Sequence, residues 1–439
     1  MKPEDVKRIE DLEAEVDKVL LLKDRGVVRI LCASVIANRL DLDPVWLLLV
    51  AASSGGKTEL IQAISAFEWI YQISDLTVNT FASGQKKTGK ETSLLLKMNN
   101  GIMAFKDFTS ILSKEKEARK AIMSQLREIY DGEYTKRTGT GDDITWKGKI
   151  GAIAGATEAV YVHLEEMSQM GDRFIMYSIE QPDRLEVARR ALRNSHDMLE
   201  KRAHLRACFK NFIEHVLTSI AKGQEEIKLA PDAEDQLLLV ADFATRARSA
   251  VLTDFKTGNI NFVPAPEMPM RVTSQLYTLA AAFIAMYKSA PGLGPTSPLL
   301  KGELSFEDYR ILYKTAFDSI PKMRRNALYA LAKYKGGVST AGLAVTLELP
   351  TPSVAKYLAQ VNALSICTRQ KKPGAQGDLW VLKEQYRDLM IKLEGITVEE
   401  GTLMADKEEE ENWDAVEAYQ KTKEIDSLGI SSDPEISLN

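Results

Sequence analysis

Eight consecutive residues, Ala51-Ala52-Ser53-Ser54-Gly55-Gly56-Lys57-Thr58, carry the most specific chemistry in the chain. They match the phosphate-cradling pattern GxxxxGK[ST], except that Ala51 stands where the pattern has its first glycine. The pattern works because backbone N–H groups, here those of Ser54 to Thr58, converge at the positive end of a helix and favour an anion. In that geometry Lys57 reaches the β- and γ-phosphates of ATP and the Thr58 hydroxyl holds Mg²⁺. Ser54, Gly55 and Gly56 supply the cradle. Ala51 weakens the match little, because the two glycines nearest the phosphate remain.

A phosphate loop needs a carboxylate for the metal and a group for the attacking water. Ile102-Met103-Ala104-Phe105 reads as the next buried strand and runs into Lys106-Asp107-Phe108. Asp107 is therefore expected at the C-terminal tip of a parallel strand, where such sheets keep their ligands. It serves there as the metal-side acid, or as the water-orienting one if Lys106 occupies the metal position. The usual Asp-Glu pair is absent, and the competing expectation for Asp107 is a helix cap. The strand Ile150–Ala154 ends in Gly155-Ala156-Thr157-Glu158, which sets Thr157 beside the γ-phosphate. Met170-Gly171-Asp172-Arg173-Phe174 places Arg173 at the edge of the last core strand. Arg173 would reach the nucleotide of a neighbouring subunit, or else form an ordinary salt bridge.

These groups need a scaffold. Trp46 to Ala52 is an apolar run, Thr58 to Tyr71 is helix-periodic, and short apolar segments (Leu76–Phe81, Ile102–Phe105, Ile150–Ala154, Phe174–Ile179) alternate with helical ones. That alternation predicts an α/β fold with a parallel sheet covered on both faces. Residues 1–40 read as an N-terminal helical segment, 41–182 as the nucleotide-binding core and 183–295 as a mostly helical lid. Residues 304–392 read as three helices (Pro321–Tyr334, Ser339–Leu347, Thr351–Asn362) followed by a hairpin, the winged-helix pattern.

Two regions are predicted to meet nucleic acid. Around the turn at 138–143, two alternating arms read as a hairpin carrying Lys136, Arg137, Lys147 and Lys149, with Tyr134 and Trp146 among them. Cations interleaved with aromatics suit single-stranded DNA, unless the aromatics are core. In the winged-helix pattern the third helix presents Lys356, and the wing presents Arg369, Lys371 and Lys372. A protein-contact role is the other reading of such a domain.

The composition is compatible with this and excludes other classes. The chain of 439 residues has 57 Lys and Arg against 62 Asp and Glu. Residues 396–439 hold thirteen of those acids and three lysines, so an acidic, disordered tail follows a mildly basic body. No apolar stretch approaches the ~20 residues of a membrane helix, and no signal peptide opens the chain, so a cytoplasmic location is expected. Cys32, Cys208 and Cys367 lack disulfide or zinc-ligand spacing and are expected as buried thiols. His163, His196, His204 and His215 likewise show no metal spacing.

Taken together, residues 40–290 resemble an AAA+ ATPase, and most closely the minichromosome-maintenance (MCM)-like helicases of phages and mobile elements. The resemblance rests on AASSGGKT, on IMAFKDF, on AGAT, on GDRF, and on Met270-Arg271 opening a long helix. It implies that Thr157 orients water, that Arg173 acts in trans as an arginine finger, and that Arg271 contacts the γ-phosphate. It makes the hairpin a pore element, puts a second insert at Phe81–Met98 with Lys86, Lys87 and Lys90, and aligns Lys106 with the metal-binding acid. The function implied is an ATP-driven helicase or translocase in DNA replication, working as a homo-oligomeric ring, a hexamer. The alternative is an ATP-switched DNA-binding adaptor, such as a helicase loader or an origin or transposition regulator.

Overall fold

The computed structural model describes residues 1–82, 93–98, 100–137, 143–163, 173–222, 228–254, 260–292, 297, 301–371 and 378–404. They fall into two compact units, one of residues 1–250 and 267–321, the other of residues 251–266 together with those from 322 onward.

The first unit is built on five parallel strands: β1 (Trp46–Val50), β2 (Ile70–Ile73), β3 (Ile102–Phe105), β6 (Gly151–Ala156) and β7 (Ile175–Ser178). Their order across the sheet is β2-β3-β6-β1-β7. All residues of β1, β3 and β6 are buried, which is why each reads as an unbroken apolar or small-residue run rather than an alternation. Each large side chain so buried contributes about 1.5–3 kcal/mol relative to exposure. The chain leaves β1 for the far edge at β2, returns through β3 and β6, then crosses to β7. That path brings the C-terminal ends of β3 and β6 beside the loop that follows β1. Between β3 and β6 the chain also forms an antiparallel hairpin of β4 (Glu133–Arg137) and β5 (Asp143–Lys147).

Helices α1 (Ile9–Val19), α2 (Gly26–Ala37), α3 (Lys57–Ala63), α4 (Leu94–Lys97), α5 (Thr109–Leu112), α6 (Lys116–Tyr130), α7 (Arg184–Asn194), α8 (Met198–Lys222), α9 (Pro231–Arg248), α10 (Met270–Ser289) and α11 (Phe306–Phe317) complete this unit. The N-terminal helices do not stand apart from it. Helix α1 packs on α8 and α2 on α10, and Arg29 ties them by donating to Glu13 (2.6 Å) and to the Tyr287 hydroxyl (3.4 Å). Helix α11 also belongs here: the Ser178 N–H at the end of β7 donates to Asp318 just beyond it (2.7 Å).

The second unit holds α12 (Lys322–Lys333), β10 (Val338–Ser339), α13 (Thr340–Leu347), α14 (Thr351–Ala363), β11 (Cys367–Lys371), β12 (Asp378–Leu382) and α15 (Glu384–Glu394). Its three strands form an antiparallel sheet in the order β10-β12-β11. A small hairpin of β8 (Leu252–Thr253) and β9 (Ile260–Phe262), from within the stretch expected as lid, is grouped with it. The start of the stretch expected as disordered tail is paired instead. Glu399 N–H donates to Lys333 O (2.8 Å) and Leu403 N–H to Gly337 O (3.0 Å). No helix among the described residues is long and apolar enough to cross a membrane.

Candidate functional site

The loop after β1 curls through two left-handed residues, Ser54 (φ 62°) and Gly56 (φ 82°). Gly55 lies where a Cβ would come within 2.9 Å of the Ala51 methyl and 3.0 Å of Ala52 O, so Ala51 and Gly55 fit only as small partners. Helix α3 begins at Lys57, whose ammonium folds back and donates to Ala51 O (2.7 Å) and Ala52 O (2.8 Å). Lys57 is only 7% exposed, and no carboxylate among the described residues pairs with it. Burial lowers its pKa, against the pull of the nearby Asp107 charge. A buried ammonium held by carbonyls alone is under-compensated, and an anion in the loop would complete it. Thr58 is exposed at the mouth of the turn.

The tips of β3 and β6 meet this loop. Gly155 in β6 has its backbone against Lys106 O and Ile61: a Cβ there would sit 2.9 Å and 3.1 Å from them, and 3.6 Å from Lys57 Cβ. Thr157 follows, its N–H donating to Thr109 Oγ1 (2.9 Å), with the two hydroxyls 3.3 Å apart. Asp107 is exposed, and its Oδ1 accepts from Thr109 N–H (3.0 Å), a turn that starts α5. Asp107 thus closes a local turn ahead of α5, whose N-cap is Phe108 with no side-chain cap, so the capping expectation for Asp107 is not met. Among the described residues Oδ2 carries no hydrogen bond. A hydroxyl at Thr58 and a carboxylate oxygen at Asp107 are the hard donors that Mg²⁺ takes together with phosphate oxygens, so these residues fit the ion.

A cavity of about 480 Å³ opens over the loop. Its polar floor is Ser54 to Glu59. Its walls are the segment Val19–Leu22 after α1, the segment Ile179–Pro182 after β7, and Val187, Arg190, Ala191, Met198 and Arg202 from α7 and α8. Arg202 pairs with Glu59 (2.8 Å from Nε), and Arg190 donates to Asp17 O. These wall residues were not singled out from the sequence, since they come from segments 35 to 145 positions away from Lys57 and only folding assembles them. One signal was available: Val19-Leu20-Leu21-Leu22 runs four apolar residues past the helical period, and Leu20, Leu21 and Leu22 remain partly exposed.

Arg173 lies elsewhere. It precedes β7, whose first residue, Ile175, pairs with Leu47, whereas the loop of residues 51–56 follows Val50 at the other end of β1. At about 3.3 Å per residue the two positions are roughly 20 Å apart along the sheet. Arg173 Nη2 pairs with both oxygens of Asp131 (3.1 and 3.0 Å), and its guanidinium lies 5.5 Å from the Tyr130 ring centre. Arg271 is at the same end. One turn after it, Gln275 accepts from Trp46 N–H (3.0 Å) and donates to Arg173 O (3.1 Å). Arg271 pairs with Glu267 (3.2 Å), which also holds Arg248 (2.7 Å). Burial, together with the charges of Arg173 and Arg248, lowers the Arg271 pKa, while Glu267 opposes this. Lys57, Thr58, Asp107 and Thr157 are thus brought together, and Arg173 and Arg271 are brought together at the opposite end.

The hairpin corrects one expectation. Tyr134 and Trp146 face each other across β4 and β5 and are buried (4% and 5% exposed) in the same apolar cluster as Trp46 and Phe174. They are core and present no face to a base. Lys136 donates to Asn79 Oδ1 and Ala82 O (both 2.9 Å), and Lys147 pairs with Glu133 (2.9 Å). Lys149 turns inward to Leu40 O (2.7 Å), and burial lowers its pKa to about 8 despite Asp41 and Asp43. Arg137 is exposed. In the second unit Lys356 and Lys371 are exposed, while Arg369 pairs with Asp378 and covers the Trp380 ring at 5.3 Å. Lys86, Lys87, Lys90, Gly171, Asp172, Lys372 and the tail from residue 405 lie outside the described residues.

No protein-family model matches the chain, and no curated protein matches it.

Proposed function

We propose that this chain is an AAA+-type ATPase that assembles into a ring, hexameric by the resemblance to MCM-like helicases, and moves along DNA in the cytoplasm to part its strands. The observation that carries the reading is the division of the expected nucleotide site between opposite ends of one sheet. A loop with an under-compensated lysine and a 480 Å³ cavity lies at the C-terminal end, and two arginines that cannot reach it within the same chain lie at the other.

In this reading the N–H groups of Ser54, Gly55 and Gly56 and the Lys57 ammonium hold the β- and γ-phosphates of ATP. Thr58 and Asp107 Oδ2 hold Mg²⁺, which neutralises charge on the phosphate oxygens. Thr157, positioned by Thr109, orients the attacking water. Val19, Leu20, Leu21 and Leu22, with Ile179 and Pro182, form the apolar side against which a base packs. Arg173 and Arg271 of the next protomer approach the phosphates in a head-to-tail interface, the contact type that closes into rings. In this reading the second unit, with α12, α13 and α14 followed by the β11–β12 ladder, serves as a winged-helix domain that would offer Lys356, Arg369 and Lys371 to DNA.

One observation favours the switch or adaptor reading over the motor. Lys106 stands where the resemblance aligns the metal-binding acid, and Asp107 already commits Oδ1 to Thr109. ATP turnover, measured with and without single-stranded DNA across protein concentrations with Lys57→Ala as the blank, separates the two. Turnover that DNA stimulates and that rises cooperatively with concentration supports the motor. Tight nucleotide binding with turnover at the blank level supports the adaptor.

A further inference from the structure

Glu15, His204 and Cys208 place one oxygen, one nitrogen and one sulfur around a common point. His204 and Cys208 are four residues apart on α8, so both project from one helix face, and Glu15 reaches them from α1, 189 positions away in the chain. Spacing along the sequence therefore hides the third ligand. His204 Nε2 is 2.9 Å from Glu15 Oε2 and 3.4 Å from Cys208 Sγ, and all three donor atoms lie within 4.8 Å of one another. Neighbouring ligands of a tetrahedral Zn²⁺ with Zn–N, Zn–O and Zn–S bonds of about 2.0–2.3 Å are separated by roughly 3.3–3.6 Å, so small shifts suffice.

We infer that Glu15, His204 and Cys208 form a Zn²⁺ site that joins α1 to α8, with a fourth position left for water. The ligand set, one thiolate, one imidazole and one carboxylate, is borderline-soft and selects Zn²⁺ over Mg²⁺ or Ca²⁺. The two oxygens of Glu15 have separate duties. Oε1 is held by the Lys18 ammonium (2.5 Å) and by the amine of Met1 (3.0 Å), leaving Oε2 to face the site. These cations, with His204, keep the carboxylate ionised to about pH 2 although burial works against it. Glu15 and Cys208 are buried, while His204 is 35% exposed and gives an ion a way in.

Loading balances simply. The Cys208 thiol, whose pKa burial raises to about 11, gives its proton to solvent as the Zn–S bond forms. His204 binds through Nε2 and keeps its remaining ring proton on Nδ1. The ion takes the place of the hydrogen bonds His204 makes to Glu15 and Cys208. Val19 and Leu20 on one side, and Met198 and Arg202 on the other, line the cavity over the phosphate loop within six residues of these ligands. The ion would hold two walls of that cavity together, and its assignment does not depend on what fills the cavity.

The test uses the full chain, stripped with a chelator, then titrated with Zn²⁺ alone against a chromogenic competitor and, separately, with Co²⁺. One equivalent should bind, raise the melting temperature, and with Co²⁺ give a thiolate charge-transfer band and the strong visible bands of four-coordination. Cys208→Ala should remove the thiolate band. Both it and His204→Ala should weaken Zn²⁺ by more than the roughly 10–100-fold that losing an outer hydrogen-bond partner costs. His204 is partly exposed, so His204→Ala should leave circular dichroism unchanged and serves if Cys208→Ala fails to fold. Binding that is absent, that survives both substitutions within twofold, or that yields a cobalt complex without a thiolate band would overturn the site.

Discussion

The two ends of the parallel sheet solve the problem of a buried cation differently. At the C-terminal end Lys57 rests on the carbonyls of Ala51 and Ala52, with Asp107 near but not paired. At the N-terminal end each guanidinium has a carboxylate, Arg173 with Asp131 and Arg271 with Glu267. An ammonium without a counter-ion is costly at rest and gains most when an anion arrives. A paired arginine is stable at rest, and in the proposed role Arg173 would have to exchange Asp131 for a phosphate. On the proposed reading, the first end would bind the anion and the second would respond to a neighbour.

The largest effect that tests this contrast is at the binding end. Lys57→Ala should drop ATP turnover roughly 10³-fold or more, while the melting temperature should not fall, because the substitution removes a poorly compensated buried charge. Turnover that persists in a coupled phosphate-release assay removes the loop from the mechanism. At the responding end, Arg173→Ala should cost about 10³-fold, near the lower limit of what an arginine finger supplies. Its ion pair, with Asp131 largely exposed, should be worth at most about 1 kcal/mol in a denaturant melt. An equal mixture of the two variants should recover activity, since roughly a quarter of random head-to-tail interfaces pair an intact loop with an intact Arg173. Absence of any recovery would place both lesions in one protomer's own site and dissolve the contrast.

The loop at the C-terminal end of the sheet is the more legible in sequence, for a physical reason. A phosphate cradle is local: one strand, one turn and one helix N-terminus supply it, so AASSGGKT names every backbone group involved. The strand tips at Asp107 and Thr157 were nearly as legible, because a buried strand is an apolar run and its end is a change in polarity. The cavity walls were not, because Leu20, Pro182 and Met198 acquire a common surface only through packing. The hairpin failed for a related reason. Alternation in β4 and β5 gives the period of the strands but not which face is covered, and the core took Tyr134 and Trp146. In sequence α1 and α2 look like a preceding segment because their partners, α8 and α10, lie some 190 and 240 residues further on.

Gly155 sharpens the contrast by geometry instead of charge. A methyl group there meets Lys106 O at 2.9 Å and Ile61 at 3.1 Å, and the carbonyl belongs to backbone that cannot swing aside. Gly155→Ala should destabilise the protein by about 1–3 kcal/mol, the usual cost of overpacking, and should push the strand tip away from Lys57. A denaturant melt without any change would mean that the tip of β6 and the loop are not in contact. Lys149 tests the opposite end through pH. Its folded pKa of about 8 lies below the ordinary 10.5, so between these values the unfolded chain binds more protons and stability rises with pH. Relative to Lys149→Met, the wild type should gain stability from pH 8 to about 10.5 and show a constant difference below pH 8. A flat difference across that window would mean Lys149 is solvated and available to phosphate after all.

The smallest effect concerns where DNA would meet the hairpin, and it separates lysines that look alike in sequence. Lys136 holds the 79–82 segment, so Lys136→Ala should lower stability modestly as well as any DNA affinity. Lys147 is 69% exposed and makes only a surface pair with Glu133, so Lys147→Ala should leave the melting temperature within experimental error. If the hairpin tracks a strand, each phosphate contact releases counterions, and removing Lys147 should reduce the slope of log K against log salt by about one. The same measurement on Lys356→Ala asks the question of the second unit. A slope that changes for Lys356 and not for Lys147 would move the DNA to α14 and leave the hairpin as a structural arm of the first unit, because its aromatics are already spent on the core.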